Sequence, residues 1–238
     1  MTAPSRVLTA SRTLTAVKGK ALYHDGIDDY VSIPDDPSLD ITSEITIEAW
    51  VKPFGSYGDL YYPAIVRKEG AYALRYRHTN GALNGIVWIG GTPYLTNDLA
   101  NAWDTTKWTH FVFVYDGQYL RLYCNGVEAV SPIAQTGSID TVALMLGIGA
   151  QGDGSNPLNG TIALVRIYER ALSAAEVLYN KEHPYNPILH GCVLWLGHDS
   201  IDEGAGMWYD KTSYGNDGVI YGATAVEMNK LAGRVLSV

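Results

Sequence analysis

Apolar and polar residues alternate with a period of two along several stretches of the chain. Ile45, Ile47, Ala49 and Val51 alternate with Thr46, Glu48, Trp50 and Lys52, as in a strand with one face on a core. Phe111 and Phe113 alternate with Val112 and Val114. Both faces of that segment are apolar, so it is expected to be a central strand covered on both sides. Asp116-Gly117 and Asn125-Gly126 are tight-turn pairs, which makes 109–130 a three-stranded meander. Residues 142–148 and 161–168 read as two more strands. One helix is expected. Ser173-Ala174-Ala175-Glu176 has capping-box spacing, and Pro184 must stop the helix, which gives 174–182. Segments 53–64, 78–107 and 149–160 are rich in Gly, Asn, Asp, Tyr and Pro and read as long loops. The pattern predicts an all-β fold: two antiparallel sheets packed as a jelly-roll sandwich, one accessory helix, and recognition placed on the loops.

Composition agrees with many short strands and tight turns. The chain has 238 residues, with 25 Gly, 17 Tyr and only 17 Lys plus Arg. That length suits one all-β domain with a large core. The net charge of -8 gives no overall basic footprint for nucleic acid or anionic lipid. No stretch approaches the ~20 apolar residues of a membrane span, and the start of the chain has no signal-peptide pattern. Cys124 alternates in register with Leu120 and Leu122, and Cys192 with Leu194 and Leu196, so both are expected as free thiols in the core; a disulfide between them is the alternative.

Several spaced motifs occur together. They are Asp25-Gly26-Ile27-Asp28-Asp29-Tyr30-Val31, Thr46 to Pro53 (TIEAWVKP), Trp108-Thr109-His110, Tyr115-Asp116-Gly117, Tyr123-Cys124-Asn125-Gly126 and Arg166 to Ser173 (RIYERALS). In this order they resemble the laminin-G-like jelly roll of the concanavalin A-like lectin/glucanase superfamily. The segment that usually opens such a domain stands here at the end. It comprises Val193-Leu194-Trp195-Leu196, the acidic turn at 202–206, Tyr209-Asp210, the turn at 215–218, the strand at 219–222 and the link Gly233-Arg234-Val235-Leu236-Ser237. The expected organisation is an N-terminal arm at 1–16, the main jelly roll at 17–182, a linker at 183–190 and displaced strands at 191–238. Three explanations are open: circular permutation within one chain, exchange into a neighbouring subunit, or the remnant of a second repeat. RVL-type ends at 6–8 and 234–236 are expected to form β-pairings that favour self-association.

Catalysis has weak support. The glucanases that share this resemblance carry a tight Glu-x-Asp-x-Glu strand, which is missing here. Glu44 and Glu48 are the nearest substitute for a pair of catalytic carboxylates, and they read better as solvated or salt-bridged groups. The six histidines show no zinc spacing, and no phosphate loop or nucleophile elbow is present. The chain is therefore expected not to be an enzyme. The resemblance implies calcium near the aspartate turn, with Asp25, Asp28 and Asp29 as the candidate ligands. Relatives commonly carry Asp-Glu in the late strand where this chain has Ala163-Leu164. Local capping of the turn is the competing role of these aspartates. Asp153 and Asn156 form a second, weaker cluster. Tyr57, Tyr61, Tyr62, Tyr94 and Trp103 are the candidates for stacking on sugar faces or on a protein partner. They could equally pack the loops down. Trp88 is expected in the core. Two functions follow: a recognition or adhesion module binding glycan or protein on an extracellular or virion surface, or a structural virion subunit assembling through its ends. A glycan hydrolase ranks third.

Overall fold

The computed structural model describes residues 19–55, 62–77 and 80–228. The N-terminal arm and the RVL-type ends lie outside the described residues. The described chain opens with β1 (Gly19–Asp25), β2 (Tyr30–Ile33), β3 (Ile45–Pro53), β4 (Ala64–Lys68), β5 (Tyr72–Tyr76), β6 (Leu83–Ile89) and β7 (Thr92–Leu95). It continues through β8 (Thr109–Tyr115), β9 (Tyr119–Cys124), β10 (Val127–Glu128), β11 (Ile133–Ala134), β12 (Leu146–Ile148) and β13 (Asn159–Tyr168). After α1 (Ala174–Glu182) come β14 (Cys192–Asp202), β15 (Met207–Asp210), β16 (Gly218–Tyr221) and β17 (Thr224–Met228).

All pairings are antiparallel. In the first sheet β13 is central, with β3, β8 and β9 on one side and β1 and β14 sharing the other; β17 extends β1. The second sheet runs β15, β16, β2, β12, β4, β5, β6, β7. The two join where β15 also pairs with β14. The main core lies between them and contains Ile45, Ile47, Ala49, Val51, Phe111, Phe113, Val31, Ile33, Leu74 and Trp208. The fold is thus the all-β sandwich that the alternation predicted. In this structure the segment from Cys192 to Met228 pairs with β13, β2 and β1 of its own chain.

The outer face of the first sheet is also covered. Val112, Val114, Tyr123, Tyr168, Leu172 and Val177 form a second apolar cluster under α1. This explains why β8 is apolar on both faces. The helix begins at Ser173, whose hydroxyl accepts from Glu176 N while the Glu176 carboxylate accepts from Ser173 N, so both halves of the capping box are made.

Four local expectations change. The segment 78–107 is not one loop, because β6 and β7 form a hairpin within it, turning at Gly90 and Gly91. Asn84 and Gly85 break the apolar alternation of β6. Gly85 is required there, since a Cβ would lie 2.1 Å from the Phe113 ring. Trp88 is not in the core; it stands half-buried on the outer face of the second sheet with the Arg67 guanidinium over its ring at 5.9 Å. The strand expected at 142–148 is only Leu146–Ile148. Cys192 does not share the face of Leu194 and Leu196, because a bulge between Ile167 and Tyr168 turns it into the outer cluster. Both cysteines are free.

Candidate functional site

The pairing geometry brings several connections to one end of the sandwich. β1 ends at Asp25, opposite Asn159 at the start of β13. Phe54 N donates to Asn159 O, Ala64 N donates to Asn156 O, and Trp103 Nε1 donates to Gly55 O. The aspartate turn, the loops after β3 and before β8, and the loop 149–158 therefore form one rim.

Asp25, Asp28 and Asp29 place carboxylate oxygens within 4.8 Å of one another. Part of this is local capping. Asp25 Oδ1 accepts from Ile27 N at 2.8 Å, and Asp29 Oδ2 accepts from Asp25 N at 2.9 Å. Burial pushes the Asp29 carboxyl above its ordinary range, and the charges of Asp25 and Asp28 add to the rise. Asn159 Oδ1 is closed off from solvent and unpartnered, and the Asn159 side chain packs against Gly26 of the turn. Three converging carboxylates and a neighbouring unpaired amide oxygen are hard oxygen donors, and that donor set fits a calcium ion. Ala163 and Leu164 are buried in a third apolar cluster and offer no side-chain ligand.

An aromatic pair stands beside this turn. Tyr30 and Tyr221 are cross-strand partners on the outer face of the second sheet, stacked at 4.7 Å and 10°. The loop backbone at Gly154 lies under the Tyr30 ring, where a Cβ would be 2.9 Å from the ring. Gly222 packs on Asp29, where a Cβ would lie 2.0 Å from Oδ1. Tyr221 is 46% exposed. No sequence signal joins the two tyrosines, because residues 30 and 221 meet only across the β2–β16 pairing.

The sequence candidates scatter. Tyr57 and Tyr61 lie outside the described residues. Tyr62 adopts φ 52 and lays its ring 4.3 Å from the Arg75 guanidinium. Trp103 meets Tyr76 edge-on at 4.8 Å and packs on the main core, so it ties loops together. Tyr94 also packs on the core, from the edge strand β7. Asp153 accepts from Ser155 N and Oγ, and Asn156 donates to Gln151 Oε1, so both serve the turn of their own loop.

The two candidate carboxylates of β3 are engaged elsewhere. Glu44 Oε2 accepts from Ala171 N at 3.1 Å. Glu48 is fully buried under α1, where Oε1 accepts from Arg166 Nη1 at 2.8 Å and His110 Nε2 at 2.9 Å, and Oε2 accepts from Asn180 Nδ2 at 2.9 Å. Burial alone would raise Glu48; the Arg166 charge and these bonds outweigh it and hold the carboxyl at about 2.

A two-sheet antiparallel sandwich with its loops gathered at one rim is the architecture of a concanavalin A-like domain. A laminin-G-type family model of the concanavalin A-like lectin/glucanase superfamily matches residues 25–178, and the chain belongs to that family. No curated protein matches its sequence. Among solved structures it is similar to a candidate carbohydrate-binding protein from Bacteroides ovatus (20% identity, TM-score 0.68), covering 90% of this chain and 61% of that one. It is similar to a pentraxin of Limulus polyphemus (13% identity, TM-score 0.55), covering 92% and 98%. It is also similar to domain 4 of an extracellular arabinanase from Geobacillus stearothermophilus, solved with arabinotriose (23% identity, TM-score 0.50), covering 67% and 75%. The chain thus spans about three-fifths of the Bacteroides protein. These likenesses establish the fold.

Proposed function

We propose that this chain is a non-catalytic carbohydrate-recognition module that acts on an extracellular or virion surface. The observation that carries the reading is the exposed Tyr221 ring, backed by Tyr30 and flanked by the aspartate turn. A tyrosine face stacks on the apolar face of a pyranose or furanose ring, and adjacent carboxylates accept from its hydroxyls. The described solved structures that are named as carbohydrate-binding, or hold a saccharide, share this sandwich. Glu48, locked by Arg166 and shut away from solvent, is no substitute for a glycosidase carboxylate. Calcium would be held by Asp25, Asp28 and Asp29. Its charge would neutralise their mutual repulsion and fix the turn beside the tyrosines.

A glycan array followed by calorimetry on the hits tests this. Tyr221→Ala is expected to weaken binding about tenfold or more while leaving the melting temperature within a few degrees, since the ring is half exposed. Undiminished binding by that variant would move the ligand away from Tyr221, and a blank array would end the carbohydrate reading.

A further inference from the structure

Arg75 is an unexplained group of the second sheet. Its outer face carries a cross-strand row near the rim. Tyr221 opposes Tyr30 at one side, and Ala64 opposes Arg75, which in turn opposes Asn84, at the other. The loop 149–155 lies between the two halves, over β12. Three arginines stand on or beside this face, and two of them have partners. Arg67 Nε is paired with Glu69, and Arg77 Nη1 with Asp98 at 2.6 Å. Arg75 makes no hydrogen bond or ion pair among the described residues. Its Nε is closed off from solvent with no acceptor. Among the described residues its specific contact is the Tyr62 ring at 4.3 Å.

Two further features stand out at this place. Tyr62 holds φ 52, a left-handed conformation that is an outlier for a bulky side chain. That turn of the backbone lays the ring on the guanidinium and fixes the plane of its fork. Asn84, the fully buried cross-strand partner of Arg75, has an unpartnered Oδ1. Its amide orientation is set, because Nδ2 donates to Asp98 Oδ1 at 3.1 Å. An orphan donor and an orphan acceptor on neighbouring residues call for an explanation, since buried polar groups are ordinarily paired. In a chain of net charge -8, a flattened guanidinium with no carboxylate bonded to it among the described residues, and only the Glu69 carboxylate acting on it from nearby, is suited to an anion from outside.

We propose that Arg75, held flat by Tyr62, binds the anionic group of an acidic saccharide on the outer face of the second sheet. Its planar fork would take the two oxygens of a uronate carboxylate or of a sulfate ester bidentately. This rests on the carbohydrate reading and narrows it to acidic ligands. Calorimetry with tetragalacturonate, a sulfated heparin tetrasaccharide and neutral arabinotriose tests it and separates the two anion sources. One acidic probe is expected to bind, with affinity falling as salt rises from 50 to 500 mM. Arg75→Gln is expected to weaken that binding at least tenfold and to leave arabinotriose binding within twofold. Arg75→Lys, which keeps the charge and loses the fork, is expected to fall between them and guards against a folding defect. Acidic binding within twofold of wild type in Arg75→Gln overturns the proposal, and so does a wild-type protein that binds only the neutral probe. That last result leaves the module at Tyr221 standing. If none of the three binds, a nuclear magnetic resonance titration with inorganic sulfate decides: a saturable shift of the Arg75 Nε–H keeps the anion seat without the sugar, and no shift removes both.

Discussion

Glu48 shows how much one residue carries in this fold. Its carboxylate joins β3 to β8 through His110, to β13 through Arg166 and to α1 through Asn180. Arg166 Nη2 also donates to Pro184 O, and Asn180 Oδ1 accepts from Ile188 N, so the network pins the segment after the helix as well. Removing one partner of such a buried pair leaves an unpaired charge and costs about 3–5 kcal/mol. Glu48→Gln is therefore expected to lower unfolding stability at pH 7 by that amount in denaturant titrations, and a loss under about 1 kcal/mol would contradict the role assigned here. The folded-state pKa lies below the ordinary 4.5, so this contribution is complete above pH 4.5 and is lost as pH falls towards 2. In Glu48→Gln that part of the acid limb is expected to disappear. His24 adds a second acid-sensitive group. Burial lowers it to about 4, so stability falls between pH 6.5 and 4 as the unfolded chain takes up a proton that the folded chain refuses.

At the scale of elements, legibility followed the strength of local signals. β3 showed itself by strict alternation, α1 by its capping box and the following proline, and β8 to β10 by two turn dipeptides. β4, β5 and β6 were hidden. Arg67, Lys68 and Arg75 interrupt their apolar pattern, and Gly85 removes a side chain for the sake of Phe113 on the facing sheet. Gly85→Ala is expected to cost about 2 kcal/mol or more, since the ring has no room for a methyl group. Gly90, with φ +59 and open space around it, is expected to lose about 1 kcal/mol on the same change. Thermal melts of the two variants compare them directly, and an equal or smaller shift for Gly85→Ala would refute the close approach. The candidate site was less legible than the strands. The aspartate turn is contiguous in sequence, but Tyr30 with Tyr221, and Tyr62 with Arg75, become neighbours only through strand pairing or a loop that turns back.

For the whole molecule, a calcium ion at the rim would couple fold and ligand. A calcium ion held by Asp25, Asp28 and Asp29 would bind the folded state alone, because only the folded turn brings these oxygens together. At a free concentration about a hundredfold above Kd, such an ion adds about 2.7 kcal/mol. For a domain of this size that corresponds to a rise in melting temperature of roughly 5 °C or more. Scanning calorimetry with millimolar calcium is expected to show the rise, and Asp28→Asn to reduce it. A melting temperature indifferent to calcium would leave the aspartates as turn caps alone.

The pairing of β1 with β17 also sets a timetable. Tyr23 lies opposite Thr224, about 200 residues further along the chain. On a ribosome, β1 emerges about 200 residues ahead of the strand that borders it. Contacts of such long sequence separation make for slow folding, and the waiting edge is open to pairing with other chains in the meantime. The late segment that closes the sandwich thus makes the birth of the protein, more than its mature state, the stage at which it is most exposed to error.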